Sequence, residues 1–388
     1  MASSVVLINF FLYAVGYNIF GVLASNIIEG CNISLTSAGM LQSMFQIGAF
    51  TGIALSPLAL KKLSSKNIAR LGIILDVTGM ASIFILKSAL GVFAGFILMG
   101  FGGFFIDSGS NAYLSGSFGS KRESLIPLLH FAYSVGALSC GYIVLPFKTS
   151  VKWSLGYGIT GLVMLSVFFL GFVIKAKTPQ TADFKESIKA ESVPAVKIFT
   201  DRRFIMYCFV IMMYMASQQT CTSWLPLFLE KDFNASNAVT AAATMSFWIG
   251  IAAMRLLSPV LLKTGKTNAL HSTKWGMLVS FAAMMGIVLS KNAITALVCS
   301  AICGFGAGAV VPLFIVETAS WYPGNTGLIS TVYIVAGTIG RMVFPYLVAF
   351  FGDRYGMRIA LGASSLLLLA GTVLAFTVSS SKHSRSNE

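Results

Sequence analysis

Residues 45–61 read FQIGAFTGIALSPLALK and residues 247–263 read FWIGIAAMRLLSPVLLK. Both obey the pattern F-x-I-G-x6-L-S-P-x2-L-K, so Phe45, Gly48, Pro57 and Lys61 correspond to Phe247, Gly250, Pro259 and Lys263. A second pair, Gly100-Phe101-Gly102 against Gly304-Phe305-Gly306, recurs at almost the same offset, 204 residues in place of 202. Two matches at one spacing describe a chain made of two copies of one unit. In each copy the apolar run ends on a proline and a lysine, where a break in the helix is expected as the chain leaves for a basic loop.

Around these repeats the composition fixes the environment. Of 388 residues, 56% are hydrophobic and 10% charged, with a mean hydropathy of +0.81. Soluble domains carry about 25% charged residues, so lipid must cover most of this exterior. A spanning helix needs about 20 mostly apolar residues. Six such runs precede residue 176 (5–28, 37–60, 68–86, 90–114, 124–146, 155–174), and six follow residue 203 (204–228, 238–262, 275–289, 294–315, 328–351, 357–377). The expected fold is an all-α membrane protein with 12 transmembrane helices in two pseudo-symmetric six-helix bundles. The bundles are expected at 1–175 and 204–379, separated by a polar linker at 176–203 and followed by a tail at 380–388.

The net charge of +14 does not gather on one face or in one tail, which argues against a nucleic-acid partner. With the N-terminus inside, inside connections hold 18 Lys and Arg and outside ones seven, so both termini are expected in the cytoplasm. No basic segment precedes the first span, which reads as a retained helix and not as a signal peptide. The six cysteines show no metal-ligand spacing, and no nucleophile triad, phosphate loop or haem pair is visible. No cofactor, no metal and no enzymatic activity are expected. The linker is too short to be an ATPase domain.

Two parallel six-helix repeats joined by a long inside linker resemble the major facilitator superfamily over the whole length. The resemblance implies alternating access to a central site for a small solute. The loop after the second span, LSPLALKKLSSK, keeps the proline and basic charges of the family's loop motif but lacks its acidic residue. A closer match to that pattern, GDRYGMR, stands at 352–358.

Ionisable groups at membrane depth are costly and face a wet cavity or a partner. Asp107 lies in GFGGFFIDSGSN with Asn111 four residues on, so both project from one helix face. A carboxylate and a carboxamide so placed can grip vicinal hydroxyls, and the acid can also take a proton or a sodium ion. His130, in LLHFAYSVGAL on the next span, could relay a proton or bind a hydroxyl. Gln46 on the second span, Gln218, Gln219 and Trp224 on the seventh, and Trp248 on the eighth suit a neutral polyhydroxyl ligand. Arg341 in TIGRMVFP must face inward, against an acid or an anionic substrate. Asp76 reads as structural, Arg255 as snorkelling to the surface, and Glu317 as a partner for loop cations.

The runs FIDSGSN and LLHFAYSVGAL resemble the fucose permease and sodium-dependent glucose transporter branch over about 40 residues. That resemblance implies cation-coupled uptake of a neutral sugar, with a proton or sodium ion as partner and Asp107, Asn111 and His130 as the carried-over positions. The first span departs from the fucose permeases: it holds Asn9, Tyr13, Tyr17 and Asn18 where they have a second acid. A monomer in the cell (inner) membrane is expected. The alternatives are a proton-driven exporter of amphipathic compounds and a transporter of small organic anions.

Overall fold

In each repeat the F-x-I-G glycine lets two helix backbones touch, and this contact sets the layout of the helices. A Cβ added to Gly48 would stand 2.0 Å from the carbonyl oxygen of Ile97, and one on Gly100 only 1.8 Å from that of Phe45. In the second repeat, a Cβ on Gly250 would meet Ala301 O at 2.0 Å, and one on Gly304 would meet Phe247 O at 2.0 Å. The duplicated motif is therefore a reciprocal backbone crossing that only glycine permits.

The computed structural model describes residues 3–117, 122–149, 151–173, 194–265, 267–322 and 324–378. Among these the helices are α1 (Ser3–Cys31), α2 (Leu35–Lys62), α3 (Ser65–Leu86), α4 (Ala89–Ser117), α5 (Arg122–Val144) and α6 (Trp153–Val173). They continue with α7 (Ala195–Thr200), α8 (Arg202–Phe233), α9 (Asn237–Lys263), α10 (Ala269–Leu289), α11 (Ala293–Ala307), α12 (Val310–Trp321), α13 (Thr326–Tyr355) and α14 (Met357–Thr377). Twelve stretches of the described residues are long and apolar enough to cross a membrane, and α11 and α12 together make one of them, Ala293–Thr318. Most of the expected linker lies outside the described residues, as does the expected tail after residue 378.

Two sequence expectations need correction. Pro57 and Pro259 do not end their helices: α2 runs on to Lys62 and α9 to Lys263. A proline removes one N–H and strains one turn, and with few residues still to come in each helix that turn is bridged. The ninth span begins at Ala269, not at residue 275, because the Asn268 side chain caps it by accepting from the His271 N–H at 2.8 Å. Lys274 is thereby drawn into the helix, with its ammonium 5.9 Å from the Phe376 ring centroid and its apolar stem free to lie along the helix.

Asn32 and Asn234, each the start of an Asn-x-Ser triplet, occupy left-handed backbone (φ +49 and +47) just after α1 and α8. Asparagine tolerates this conformation better than most residues. Ser34 then caps α2 by accepting from Ser37 N at 3.0 Å, and Ser236 directly precedes α9. Both triplets thus serve equivalent tight turns between helices.

Contacts group the chain into two compact units that do not follow chain order. The first gathers Met1–Lys185, Thr222–Met245 and Pro345–Met357. Within it three glycines accept backbone at close range: a Cβ on Gly21 would stand 2.2 Å from Thr222 O, on Gly141 2.1 Å from Ala241 O, and on Gly39 3.1 Å from Tyr346 Cα. Thr36 Oγ1 donates to Asp353 Oδ2 at 2.8 Å, and Lys148 pairs with Glu230 at 2.7 Å. The second unit gathers Glu186–Cys221, Ser246–Phe344 and Arg358–Glu388. Inside it Arg358 donates to the carbonyls of Val288 and Ser290, and Tyr207 stacks on Phe314 with centroids 4.5 Å apart.

Candidate functional site

The polar groups of α4 are set by its period. Asp107 and Asn111 lie one turn apart, and Asn111 Nδ2 donates to the Asp107 carbonyl at 2.9 Å and to its Oδ1 at 3.0 Å. The amide thereby fixes the rotamer of the carboxylate. Both side chains are partly exposed.

Around this pair the first unit assembles an aromatic lining from three other helices. A Cβ on Gly103 would lie 2.6 Å from Tyr13 Cε2 and 2.9 Å from its hydroxyl. Gly103 and Asp107 are four apart and share a face of α4, so the Tyr13 hydroxyl stands over the face that carries the acid. Tyr13 lies near both Asp107 and Asp76. Its ring neighbours are Phe10 (centroids 5.9 Å), Tyr17 (6.5 Å) and Tyr133 (5.8 Å). Tyr17 in turn contacts Phe45 at 4.7 Å and accepts from Gln46 Nε2 at 3.5 Å. His130 is exposed and meets Phe10 edge to face at 6.0 Å. The approach of α1 to α5 depends on Gly136, where a Cβ would stand 2.3 Å from Phe11 O.

The structure thus brings Asp107, Asn111, Gln46 and His130 into one unit around a chain of α1 rings. Asn9 and Asn18, the amides of the first span, are used locally: their Nδ2 groups donate to Val5 O (2.9 Å) and Ala14 O (2.8 Å) of the same helix. Trp224 is committed to packing. It is buried, its indole N–H donates to Pro345 O at 3.1 Å, and its ring meets Phe20 at 5.5 Å. Gln218, Gln219, Trp248 and Arg341 belong to the second unit. There Gln219 and Trp248 are buried, and the buried Nε of Arg341 has no hydrogen-bond partner among the described residues. Glu317 accepts from Trp321 Nε1 at 3.0 Å, and the Arg203 guanidinium lies 4.6 Å over the Trp321 ring.

Tyr13, which the sequence marks only as a polar group of the first span, stands over the face that carries the acid, with the Tyr133 ring 5.8 Å from its own. The available signal was the Phe10, Tyr13, Tyr17 spacing, which places three rings on one helix face. Among the described residues no group of three or more His, Cys, Asp or Glu could hold a metal ion.

The sequence profile of the Major Facilitator Superfamily matches residues 6–345. No curated protein matches the sequence. Solved structures do match in shape. A bacterial homologue of the human lysosomal transporter Spinster, inward-facing and unoccupied, superposes with a TM-score of 0.81 at 14% identity, covering 96% of this chain and 95% of that one. The inward-facing, occupied form gives 0.80 at 13% identity, with the same coverage. A POT family transporter in complex with 5-aminolevulinic acid gives 0.78 at 12% identity, covering 96% and 94%.

Proposed function

The chain belongs to the major facilitator superfamily, and from that premise we propose that it moves a neutral sugar or similar polyhydroxyl solute by cation-coupled alternating access. It is a multi-pass membrane transporter of a small-molecule substrate. The observation that carries the finer reading is the Asp107–Asn111 pair, with amide and carboxylate 3.0 Å apart. An oriented carboxylate accepts from sugar hydroxyls, while a ring-lined wall at Tyr13, Tyr17 and Tyr133 suits the apolar face of a pyranose. The same acid can exchange a proton or sodium ion, and His130 and Gln46 flank the lining. The proposal places the bundles at 1–175 and 204–379, both termini in the cytoplasm by the 18-to-7 distribution of basic residues, and a monomer in the inner membrane.

A thermal-shift screen over sugars, polyols and organic acids identifies the ligand. Uptake by proteoliposomes under imposed proton or sodium gradients then tests the coupling. Asp107→Asn is expected to lose gradient-driven accumulation while the protein stays folded. Full accumulation by that variant would remove Asp107 from the coupling role. The unpartnered Nε of Arg341 favours a second reading, transport of a small organic anion. In that case organic acids and not sugars raise the melting temperature, and Arg341→Gln abolishes the shift. The cargoes of the Spinster homologue and the POT transporter stay with those proteins, since identities of 12–14% carry the fold alone.

A further inference from the structure

Asp76 sits in the middle of α3, 0% exposed, and neither of its carboxyl oxygens has a hydrogen-bond partner among the described residues. The packing around it is close because the backbones of α3 and α4 touch there. A Cβ on Gly102 would stand 2.5 Å from Asp76 N, and one on Gly72 would stand 2.5 Å from Ile106 N. Further along the crossing, Gly79 meets Gly95 O at 2.6 Å.

The second repeat contains the same crossing, and its chemistry differs at one position. Gly306 meets Gly276 O at 2.6 Å and Ser280 N at 2.8 Å, each residue displaced by 204 from Gly102, Gly72 and Asp76. The counterpart of Asp76 is therefore Ser280, and its hydroxyl is satisfied by donating to Cys303 O at 3.0 Å. The crossing needs no acid to form. Asp76 is an addition peculiar to the first repeat, and its hydrogen-bonding capacity is left unused.

Counter-charges are missing too among the described residues of three helices packed on α3. α3 packs against α1, α2, α4 and α6, and α1, α4 and α6 contain no Lys, Arg or His. The cations of α2 and α3 (Lys61, Lys62, Lys66 and Arg70) stand six or more residues before Asp76 in the chain, and the Arg70 guanidinium lies 4.3 Å over the Phe172 ring. The titratable groups within the neighbouring spans are Tyr13 and Tyr17 on α1, Asp107 and Tyr113 on α4, and Tyr157 on α6; Glu29 and Cys31 stand at the far end of α1. Tyr13 lies near both Asp76 and Asp107. A carboxylate sealed in such a place, without donor or cation, cannot be sustained, whereas the neutral acid can.

We propose that Asp76 is a proton-binding site separate from the Asp107–Asn111 pair, loaded at neutral pH while its packing is closed and released when that packing opens. The Oδ–H bond is the one made and broken, and the proton comes from and returns to water. Proton binding at Asp76 stands on its own geometry. Its use as the coupling proton rests on the transport reading above.

The test is infrared spectroscopy of the full chain in lipid, stepped from about pH 4 to about pH 10 with hydrogen–deuterium exchange, a window that starts in the ordinary carboxyl range and runs well above it. A carboxylic C=O band that persists at neutral pH and is lost toward the alkaline end is expected in the wild type and in Asp107→Asn. It should be missing in Asp76→Asn and return, shifted, in Asp76→Glu. Spectra of wild type and Asp76→Asn that superimpose at neutral pH would overturn the proposal. So would a band that never titrates, since an acid that keeps its proton at every pH releases none to water. Failure of the wild type to accumulate any screened solute would count against the transport reading alone and leave this band unchanged.

Discussion

Lys148 is 2% exposed at its side chain, with its ammonium 2.7 Å from Glu230 Oε2 and 3.4 Å from Ser25 Oγ, which itself donates to the same carboxylate at 3.0 Å. Removing one partner of a buried pair costs about 3–5 kcal/mol. Glu230 is 35% exposed, so solvent screens part of that cost and Lys148→Met should lose on the order of 2 kcal/mol. Lys148→Met combined with Glu230→Leu should recover part of the loss, because no orphan charge is left. Melting temperatures of the single and double variants in detergent decide this, and strict additivity would remove the coupling. Asp201, just before α8, makes a different kind of pair. Burial pushes its carboxyl up, but the Tyr322 hydroxyl, the Arg203 N–H and the Arg203 charge outweigh it and hold the group below the usual carboxylate range. Its folded value is thus lower than its unfolded value near 3.9. The stabilisation is complete above the unfolded value and fades as pH falls through the folded one. Asp201→Asn should flatten the acid limb of stability against pH, read by thermal unfolding between about pH 5 and about pH 3. At this scale the sequence was only partly legible. The i, i+4 spacing of Asp107 and Asn111 could be read directly, whereas the meaning of Asp76 depended on which groups fail to face it, and no linear pattern records that.

Among elements, the duplicated glycines make a paired prediction. Gly48→Val and Gly250→Val each drive a branched side chain into a carbonyl that a bare Cβ already approaches to 2.0 Å. Overpacking of this kind costs about 1–3 kcal/mol or more, and both variants should show reduced melting temperature and monodispersity by similar amounts. A large effect in one and none in the other would argue against equivalent roles. The repeat was legible because backbone crossings constrain residue identity at fixed spacing. The proline prediction failed because a proline a few residues before a helix end removes only one hydrogen bond, too little to stop the helix. Likewise nothing in hydropathy marks the break between α11 and α12 at Gly308–Ala309, since both sides are equally apolar.

For the whole molecule, hydropathy and charge asymmetry are collective properties that survive any local misreading. That is why twelve spans could be read from composition and spacing, while the superfamily was reached by resemblance. Cargo identity is the opposite case: under the proposed function it depends on a handful of side chains from four helices of the first unit, far apart in the sequence. The glycine contacts at Gly21, Gly39 and Gly141 bear on how such a chain can be recombined. They tie segments 222–245 and 345–357 to the first six helices by backbone proximity. A hybrid joining the front of this chain to the back of a relative would inherit mismatched surfaces at three places where no side chain can yield. Single substitutions away from these glycines leave the backbone contacts intact, whereas exchanging a whole segment puts all three at risk.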